Sequence, residues 1–225
     1  MDALQRREKE IFDTLGAIRG HSFVVIGGYA VNAYTLPRFS VDCDIVTGNP
    51  DHAHQIGELL IRHGYTHEKT PPTAPYHGSF ERYEKRIEKD FTVSMDILIG
   101  HVMDRQTDSI FSWEWIREHS AARLLRGKTI IEELKVDIID IDALFVMKFI
   151  CARATDIRDI FMLAPDIQER EWIKKEIIHR YDFDERLKWI KEKVQSKQFK
   201  DGLQGVYGII HPRVFEKHRK ALLEI

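Results

Sequence analysis

Hydrophobic and polar positions repeat along the chain with two different periods, which predict helices mixed with strands. Residues 2–19 carry apolar side chains three to four positions apart among charges, and this spacing predicts an amphipathic helix. The run FVVIGG (23–28) predicts a short buried strand that ends at two glycines. YAVNAYTLP (29–37) predicts a brief helix stopped by its proline, and SVDCDIVTG (40–48), which alternates apolar and acidic residues, predicts a second strand.

The same patterns continue to the C-terminus. Residues 49–65 open with Asn-Pro and close near a glycine, which predicts a helix, and the proline-rich segment 67–78 predicts a loop. SFERYEKRIEKDFTVSMDILIG (79–100) predicts two strands, and LKVDIID (134–140) one more. IDALFVMKFICARATDIRDIFML (141–163) predicts one long helical run, and charged helical patterns follow it.

Strands therefore occur among helices up to residue 140, and helices alone are predicted beyond it. This order predicts an α/β (α+β) fold: a mixed β-sheet head with flanking helices over residues 1–140, and a helical C-terminal lobe over residues 141–225.

Composition removes several classes of protein from consideration. Of the 225 residues 43 % are apolar, enough for a sizeable core, and 34 Lys and Arg nearly balance 36 Asp and Glu. A global basic field for nucleic acid is therefore missing, although a local patch such as RLLRGK (123–128) could serve an RNA. The sequence predicts no membrane span and a cytoplasmic location. Cys43 and Cys151 lack CxxC spacing, which argues against a disulfide scaffold or a zinc site.

Three aspartates are the candidate chemistry. On one strand Asp42 and Asp44 point to the same side, about 7 Å apart, and such carboxylates raise each other's pKa unless a cation lies between them. Mg²⁺ prefers oxygen ligands and binds through one or two carboxylates plus substrate phosphates. Asp96, inside the apolar run FTVSMDILI, would complete the cluster from an adjacent strand. Three carboxylates could hold two ions, or one ion while activating an attacking hydroxyl.

Two glycines precede this strand. Gly27 and Gly28 stand between a predicted strand and helix, where backbone can approach a phosphate closely, and the amides of Tyr29 and Ala30 would favour its charge. Alone, the glycine pair fits an ordinary turn, and the aspartate pair fits the solvent face of an edge strand. Their order and spacing together favour a phosphate and metal site.

This order resembles a known family. An apolar strand, Gly-Gly, a short helix and Asp-x-Asp on a strand are similar to the nucleotidyltransferase superfamily typified by DNA polymerase beta. IGGYAVNAYTLPRFSVDCDIV (26–46) most resembles the minimal, AbiEii-type nucleotidyltransferases, which often carry an Arg four residues before the first Asp. Relatives also carry a helical Lys, then Ala-x-Arg, then two Asp three residues apart. The matching positions here are Arg38, Lys148, Arg153, Asp156 and Asp159.

The resemblance implies a function. It implies transfer of a nucleoside monophosphate from an NTP, ATP included, to a hydroxyl acceptor, with Mg²⁺ as the cofactor and Mn²⁺ as the alternative. The implied catalytic and metal-binding residues are Asp42 and Asp44, and the strand pattern assigns Asp96 as the third carboxylate with the same roles. The implied nucleotide-binding residues are Gly27, Gly28, Arg38, Lys148, Arg153 and Asp156. The acceptor stays open between a small molecule, an RNA 3′ end and a protein, and the last two would suit a toxin with a cognate antitoxin as its partner.

Other interpretations stay open at this stage. If residues 144–163 form one helix, Lys148, Asp156 and Asp159 share a side opposite a core stripe, and the charged side is either functional or an ordinary solvated face. Arg38 lies either beside the metal cluster or in an exposed turn. The whole chain could also be a non-catalytic nucleotide-binding or protein-interaction module on the same fold.

Overall fold

The fold is a mixed α/β arrangement, as the sequence predicts. The computed structural model describes residues 2–68, 79–89 and 91–225, so the predicted loop at 67–78 lies outside the described residues from 69 onward. The strands are β1 (Val24–Val25), β2 (Asp42–Thr47), β3 (Thr66–Glu68), β4 (Ser79–Glu88), β5 (Phe91–Ile99), β6 (His101–Met103), β7 (Ile110–Ser112), β8 (Ser120–Leu125) and β9 (Leu134–Ile139). The helices are α1 (Ala3–Ile18), α2 (Gly27–Asn32), α3 (Pro50–Arg62), α4 (Trp113–Glu118), α5 (Ile141–Cys151), α6 (Ala154–Leu163), α7 (Arg170–Arg180), α8 (Phe183–Val194), α9 (Lys197–Tyr207) and α10 (Pro212–Leu223).

A seven-stranded sheet organises the first part of the chain. Its order is β3-β4-β5-β2-β1-β9-β8, and β6 pairs with β7 in a separate two-stranded sheet. β2 and β5 run parallel, as do β1 and β9, whereas β1 and β2 run antiparallel. The sheet ends at Ile139 and α5 begins at Ile141. A division of the chain into two units at residue 140 stays a prediction.

Helix α1 covers part of this sheet. A capping box fixes its start, because the Asp2 side chain accepts from the Gln5 backbone and the Gln5 side chain accepts from the Asp2 backbone. Ile11, Leu15 and Ile18 are fully buried at helical spacing, so the predicted apolar stripe faces the core. No helix among the described residues has the length and apolar character needed to cross a bilayer.

The helical run predicted over residues 141–163 is two helices. Ala152 adopts a left-handed conformation with φ of 45°, which ends α5, and Arg153 is extended before α6 begins. The helical run is therefore confirmed, but the single helix considered over residues 144–163 does not form. The pattern does not reveal the break, because neither Gly nor Pro marks it and alanine ranks as the best helix former. Helical spacing over residues 144–163 would place Ala154 on the core stripe with Ile150 and Ile157, but in the structure Ala154 is exposed.

The tryptophan segment is also helical. Strand-like alternation predicts that Trp113 and Trp115 share a face, but α4 begins at Trp113 and the Ser112 hydroxyl accepts from the Trp115 amide. The overlooked signal is serine in a helix-capping position. Trp115 stacks on Trp172 with ring centroids 6.2 Å apart and donates to Glu176, so this ring serves packing.

The basic segment 123–128 lies along β8 and the turn after it. The Arg123 guanidinium lies 5.3 Å from the ring centroid of Tyr34, and Lys128 Nζ donates to the Val206 carbonyl. Hydrogen bonds connect this turn to Glu8 on α1. The buried Glu8 carboxylate accepts from the backbone amides of residues 128, 129 and 130 at 2.6, 2.8 and 3.2 Å. Two of the three cations of this segment, Arg123 and Lys128, thus have contacts within the protein.

We expect Glu8→Gln to lower the free energy of unfolding by about 1–3 kcal/mol, because the new amide leaves buried backbone donors without an acceptor. Urea unfolding measures the change. Glu58→Gln, at an exposed position of α3, is the matched control and should change stability by less than about 0.5 kcal/mol. Equal losses in both variants would contradict a specific role for Glu8.

Candidate active site

Three aspartates meet where β2 and β5 run side by side. Asp44 pairs in register with Asp96, and Asp42 lies two residues earlier on the same face of β2. One carboxylate oxygen from each of the three lies within 4.8 Å of the other two. Asp96 is fully buried and Asp44 is 7 % exposed, whereas Asp42 is half-buried. Cys43 points to the opposite face and is fully buried, as its position between the aspartates predicts.

The protein brings these like charges together at an electrostatic cost. Burial raises the pKa of Asp44 well above its usual range, and the charges of Asp42 and Asp96 raise it further. Lys148 and Arg153 act in the opposite direction on the same carboxyl. A cluster of three carboxylates offers oxygen donors alone, which suits a hard divalent cation, so the residues present fit Mg²⁺.

Arg82 is a member of the site that the sequence did not reveal. It lies directly opposite Asp96 on the neighbouring strand β4, and its Nε and Nη2 donate to the two Asp96 oxygens at 2.8 and 2.6 Å. Burial still leaves the pKa of Asp96 raised, although Arg82 lowers it. The only possible signal was alternation in SFERYEKRIE, which cannot set strand register by itself.

The two glycines make room for this cluster. Gly27 has φ of +65°, and a Cβ at this position would lie 2.0 Å from Asp44 Oδ2. A Cβ on Gly28 would lie 2.5 Å from the Ser40 hydroxyl. The expectation that Ala30 offers a free amide is wrong, because α2 already begins at Gly27 and the Ala30 amide donates to the Ile26 carbonyl.

We expect Gly27→Ala to destabilise the protein by about 1–3 kcal/mol, because the methyl group would enter the space of the Asp44 carboxylate from a left-handed backbone. Thermal unfolding measures the change. Gly205→Ala is the control: its Cβ would meet no atom within 4 Å, and alanine in α9 should stabilise by up to about 1 kcal/mol. Stabilisation by both substitutions would contradict the close contact at Gly27.

A buried network of five charges adjoins the glycines. Arg38 Nε and Nη2 donate to Asp159 at 2.9 and 2.8 Å. Lys148 Nζ lies 2.7 Å from Asp159 Oδ2 and 3.0 Å from Asp156 Oδ1, and Arg153 Nε donates to Asp156 at 2.7 Å. The network joins the segment before β2 to α5 and α6, and its three cations outnumber its two carboxylates.

Burial decides between the open interpretations of these residues. Asp156 and Asp159 are 3 % and 1 % exposed, so the solvated-face interpretation is wrong. Arg38 binds a carboxylate instead of standing in an exposed turn. Although burial acts to raise it, the pKa of Asp156 is lowered by the Lys148 and Arg153 charges. Burial acts to lower the pKa of Lys148, but the two carboxylates leave it raised.

Arg7 on α1 is a second neighbour that the sequence did not reveal. It is 8 % exposed, and its guanidinium lies 4.6 Å from the ring centroid of Phe91. Burial lowers its pKa, whereas the nearby Tyr29 and Asp42 raise it, so this cation lies within the electrostatic reach of the aspartate cluster. Its place among the charged residues of an amphipathic helix gave no signal of burial.

No protein-family model and no curated protein matches the sequence. Similar solved structures include a protein from H. pylori assigned as a nucleotidyltransferase (17 % identity, TM-score 0.49, covering 100 % of this chain and 93 % of that one). The lincomycin-bound lincosamide antibiotic adenylyltransferase LnuA has 18 % identity and a TM-score of 0.41, with 62 % and 84 % covered. A protein from Thermotoga maritima, also assigned as a nucleotidyltransferase, has 13 % identity and a TM-score of 0.43, with 76 % and 92 % covered.

Proposed function

We propose that the protein is a magnesium-dependent nucleotidyltransferase, which moves a nucleoside monophosphate from an NTP to a hydroxyl group. The observation that carries the proposal is the cluster of Asp42, Asp44 and Asp96, whose carboxylate oxygens lie within 4.8 Å of one another. The sequence resemblance of the Gly-Gly and Asp-x-Asp motifs to nucleotidyltransferases supports the same class. Mn²⁺ is the alternative ion, since it accepts the same oxygen ligands.

The three aspartates would hold the ion, which would polarise the α-phosphate and neutralise the charge that develops on the triphosphate. The acceptor oxygen forms a bond to the α-phosphorus while the bond from this phosphorus to the bridging oxygen breaks, so pyrophosphate leaves. Asp96 takes the hydroxyl proton in this proposal. Its carboxylate lies in register with Asp44 on the neighbouring strand, so it can accept this proton beside the ion that the cluster would hold.

The cations of the charge network have different proposed roles, because their side chains differ in solvent exposure. The Lys148 side chain is 8 % exposed and already meets two carboxylates, so we assign it an indirect role: it holds Asp156 in place and adds positive charge near the cluster. The Arg153 side chain is 38 % exposed, so it is the network cation best able to reach a phosphate while Asp156 orients it. Arg38 and Asp159 fix Lys148 from the other side.

The test uses the full chain with each labelled NTP and a divalent ion. Mg²⁺ with the preferred NTP should raise the melting temperature, and label should enter one fraction of a cell extract (RNA, protein or small molecules) with release of pyrophosphate. Stabilisation by NTP without transfer to any fraction would favour a non-catalytic nucleotide-binding module. The absence of both effects, stabilisation by NTP and transfer of label, would overturn the proposal.

A further inference from the structure

A cavity lies in the helical part of the chain. It has a volume of about 620 Å³, is open to solvent on one side, and is lined mainly by α6, α8, α9 and the break between α5 and α6. This volume falls in the range of small-molecule sites. The lining residues that bear on its ligand are Arg153, Arg158, Tyr181, Arg186, Trp189 and Lys193.

Positive charge dominates this lining. Arg153, Arg158, Arg186 and Lys193 contribute four cations, against one acidic side chain, Glu185. Within the described ranges 2–68, 79–89 and 91–225, Arg158, Arg186 and Lys193 form no ion pair with a carboxylate. Charges left uncompensated around a concave site raise the local concentration of anions.

Arg186 gives a second reason to expect an anion in this cavity. Its Nε is buried and has no hydrogen-bond partner in the described part of the chain, although buried polar groups are nearly always bonded. The guanidinium is fixed over the Tyr181 ring, 4.4 Å from the centroid. A guanidinium that lines the cavity and has no carboxylate partner among the described residues is suited to a phosphate oxygen.

The cavity also offers flat apolar surface and the start of a helix. Trp189 is 42 % exposed, and Lys193 Nζ lies 4.1 Å from its ring centroid. Among the described residues the Arg153 side chain does not cap the ten-residue α6, whose start lines the cavity, so the positive end of the helix dipole adds to the attraction for an anion.

Arg153 connects this cavity to the aspartates. It lines the cavity, donates to Asp156, and its charge lowers the pKa of Asp44. We infer that the cavity binds the acceptor of the proposed transfer, and that this acceptor carries phosphate together with a flat ring. The inference rests on the proposed function, and it makes a polycationic acceptor, such as an aminoglycoside, a poor fit.

The binding test is done in EDTA, so that no metal assists an NTP site. The probes are a 5′-phosphorylated mononucleotide and a single-stranded hexanucleotide with a free 3′ hydroxyl, which separate a small phosphorylated acceptor from a nucleic-acid end. The better probe should bind about tenfold more weakly to Arg186→Gln and to Arg158→Gln, the loss expected for one charged hydrogen bond. For the hexanucleotide, each substitution should also reduce the slope of log affinity against log salt by about 0.7.

Lys217→Gln is the matched control, because this lysine lies on the exposed side of α10 and outside the cavity lining. It should bind both probes as the native protein does. Arg186→Lys, which keeps the charge, should recover part of the affinity. Unchanged probe binding in both glutamine variants would overturn the inference.

Two further outcomes separate the acceptor from the nucleotide. The rise in melting temperature caused by Mg²⁺ and NTP should be the same in Arg186→Gln as in the native protein. If this variant lost NTP binding as strongly as it lost probe binding, the cavity would be part of the nucleotide site, and the inference would be overturned. Label from the NTP should enter the bound probe. In a cell extract that has first been separated by charge, label should enter the anionic fraction, and label in the cationic fraction would also overturn the inference. Probe binding in EDTA does not depend on turnover, so it can succeed even where the nucleotidyltransferase proposal fails.

Discussion

Replacing Asp44 with Asn is expected to abolish measurable nucleotidyl transfer while leaving the fold intact. The amide keeps the shape of a side chain that is 7 % exposed, but it removes one of the three anionic ligands from the cluster. We expect transfer to fall by at least about 10²–10³-fold, the loss that follows removal of one preorganised contact to the transition state. Release of pyrophosphate from the preferred NTP is the measurement.

The same substitution should stabilise the metal-free protein. The raised pKa of Asp44 means that the folded state binds more protons than the unfolded state above the unfolded pKa of about 3.9, so stability falls as the pH rises from there. Asparagine does not ionise, so in EDTA the melting temperature of the variant should exceed that of the native protein at pH 7, with the difference closing towards pH 4.

Magnesium should reverse this order. The ion should stabilise the native protein and leave Asp44→Asn almost unchanged, since the cluster has lost a ligand. The exposed Asp13, on α1, supplies the control: Asp13→Asn should keep full transfer and the full response to the ion. Undiminished transfer in Asp44→Asn would refute the assignment of the cluster as catalytic.

Replacing Lys148 with Met is expected to cause the largest loss of stability. The ammonium group lies between Asp156 and Asp159, both almost fully buried, and the apolar side chain would leave this carboxylate pair short of one cation. Breaking a buried charged pair from one side typically costs about 3–5 kcal/mol. Chemical denaturation of the native and variant proteins measures the difference.

Lys9→Met is the matched control for this substitution. Its ammonium also meets a carboxylate, Asp13, at 2.8 Å, but both side chains are about half exposed and the pair is screened by solvent, so the expected loss is far smaller. Two equal losses would mean that the Lys148 network contributes no more than a surface pair. Asp159→Asn combined with Lys148→Met should recover part of the loss, because it removes one of the carboxylates left short of charge.

The aspartate cluster was predictable because its signal is local. Alternation along β2 places Asp42 and Asp44 on one face, and an isolated Asp96 in an apolar strand requires a buried partner. The pairing of Arg82 with Asp96 depends instead on the register between β4 and β5, which no short-range pattern specifies.

The helical half illustrates a different limit. The spacing of Lys148, Asp156 and Asp159 brings them together on a continuous helix, yet the structure joins them across a break at Ala152. Alanine gave no sign of that break, because tertiary contacts can outweigh local preference for a helix. The cavity with Arg186 was equally hidden, since it needs the packing of three helices that the sequence defines only one at a time.

The ion pair between Arg38 and Asp159 limits how the chain can be recombined. One partner belongs to the segment that leads into β2 and the other to α6, and together with Lys148 they form a single buried unit. A chimera that exchanged everything after residue 140 for the corresponding part of another protein would leave Arg38 facing a foreign side chain. Exchange of the helical part should succeed only where the incoming chain supplies an acid at the place of Asp159.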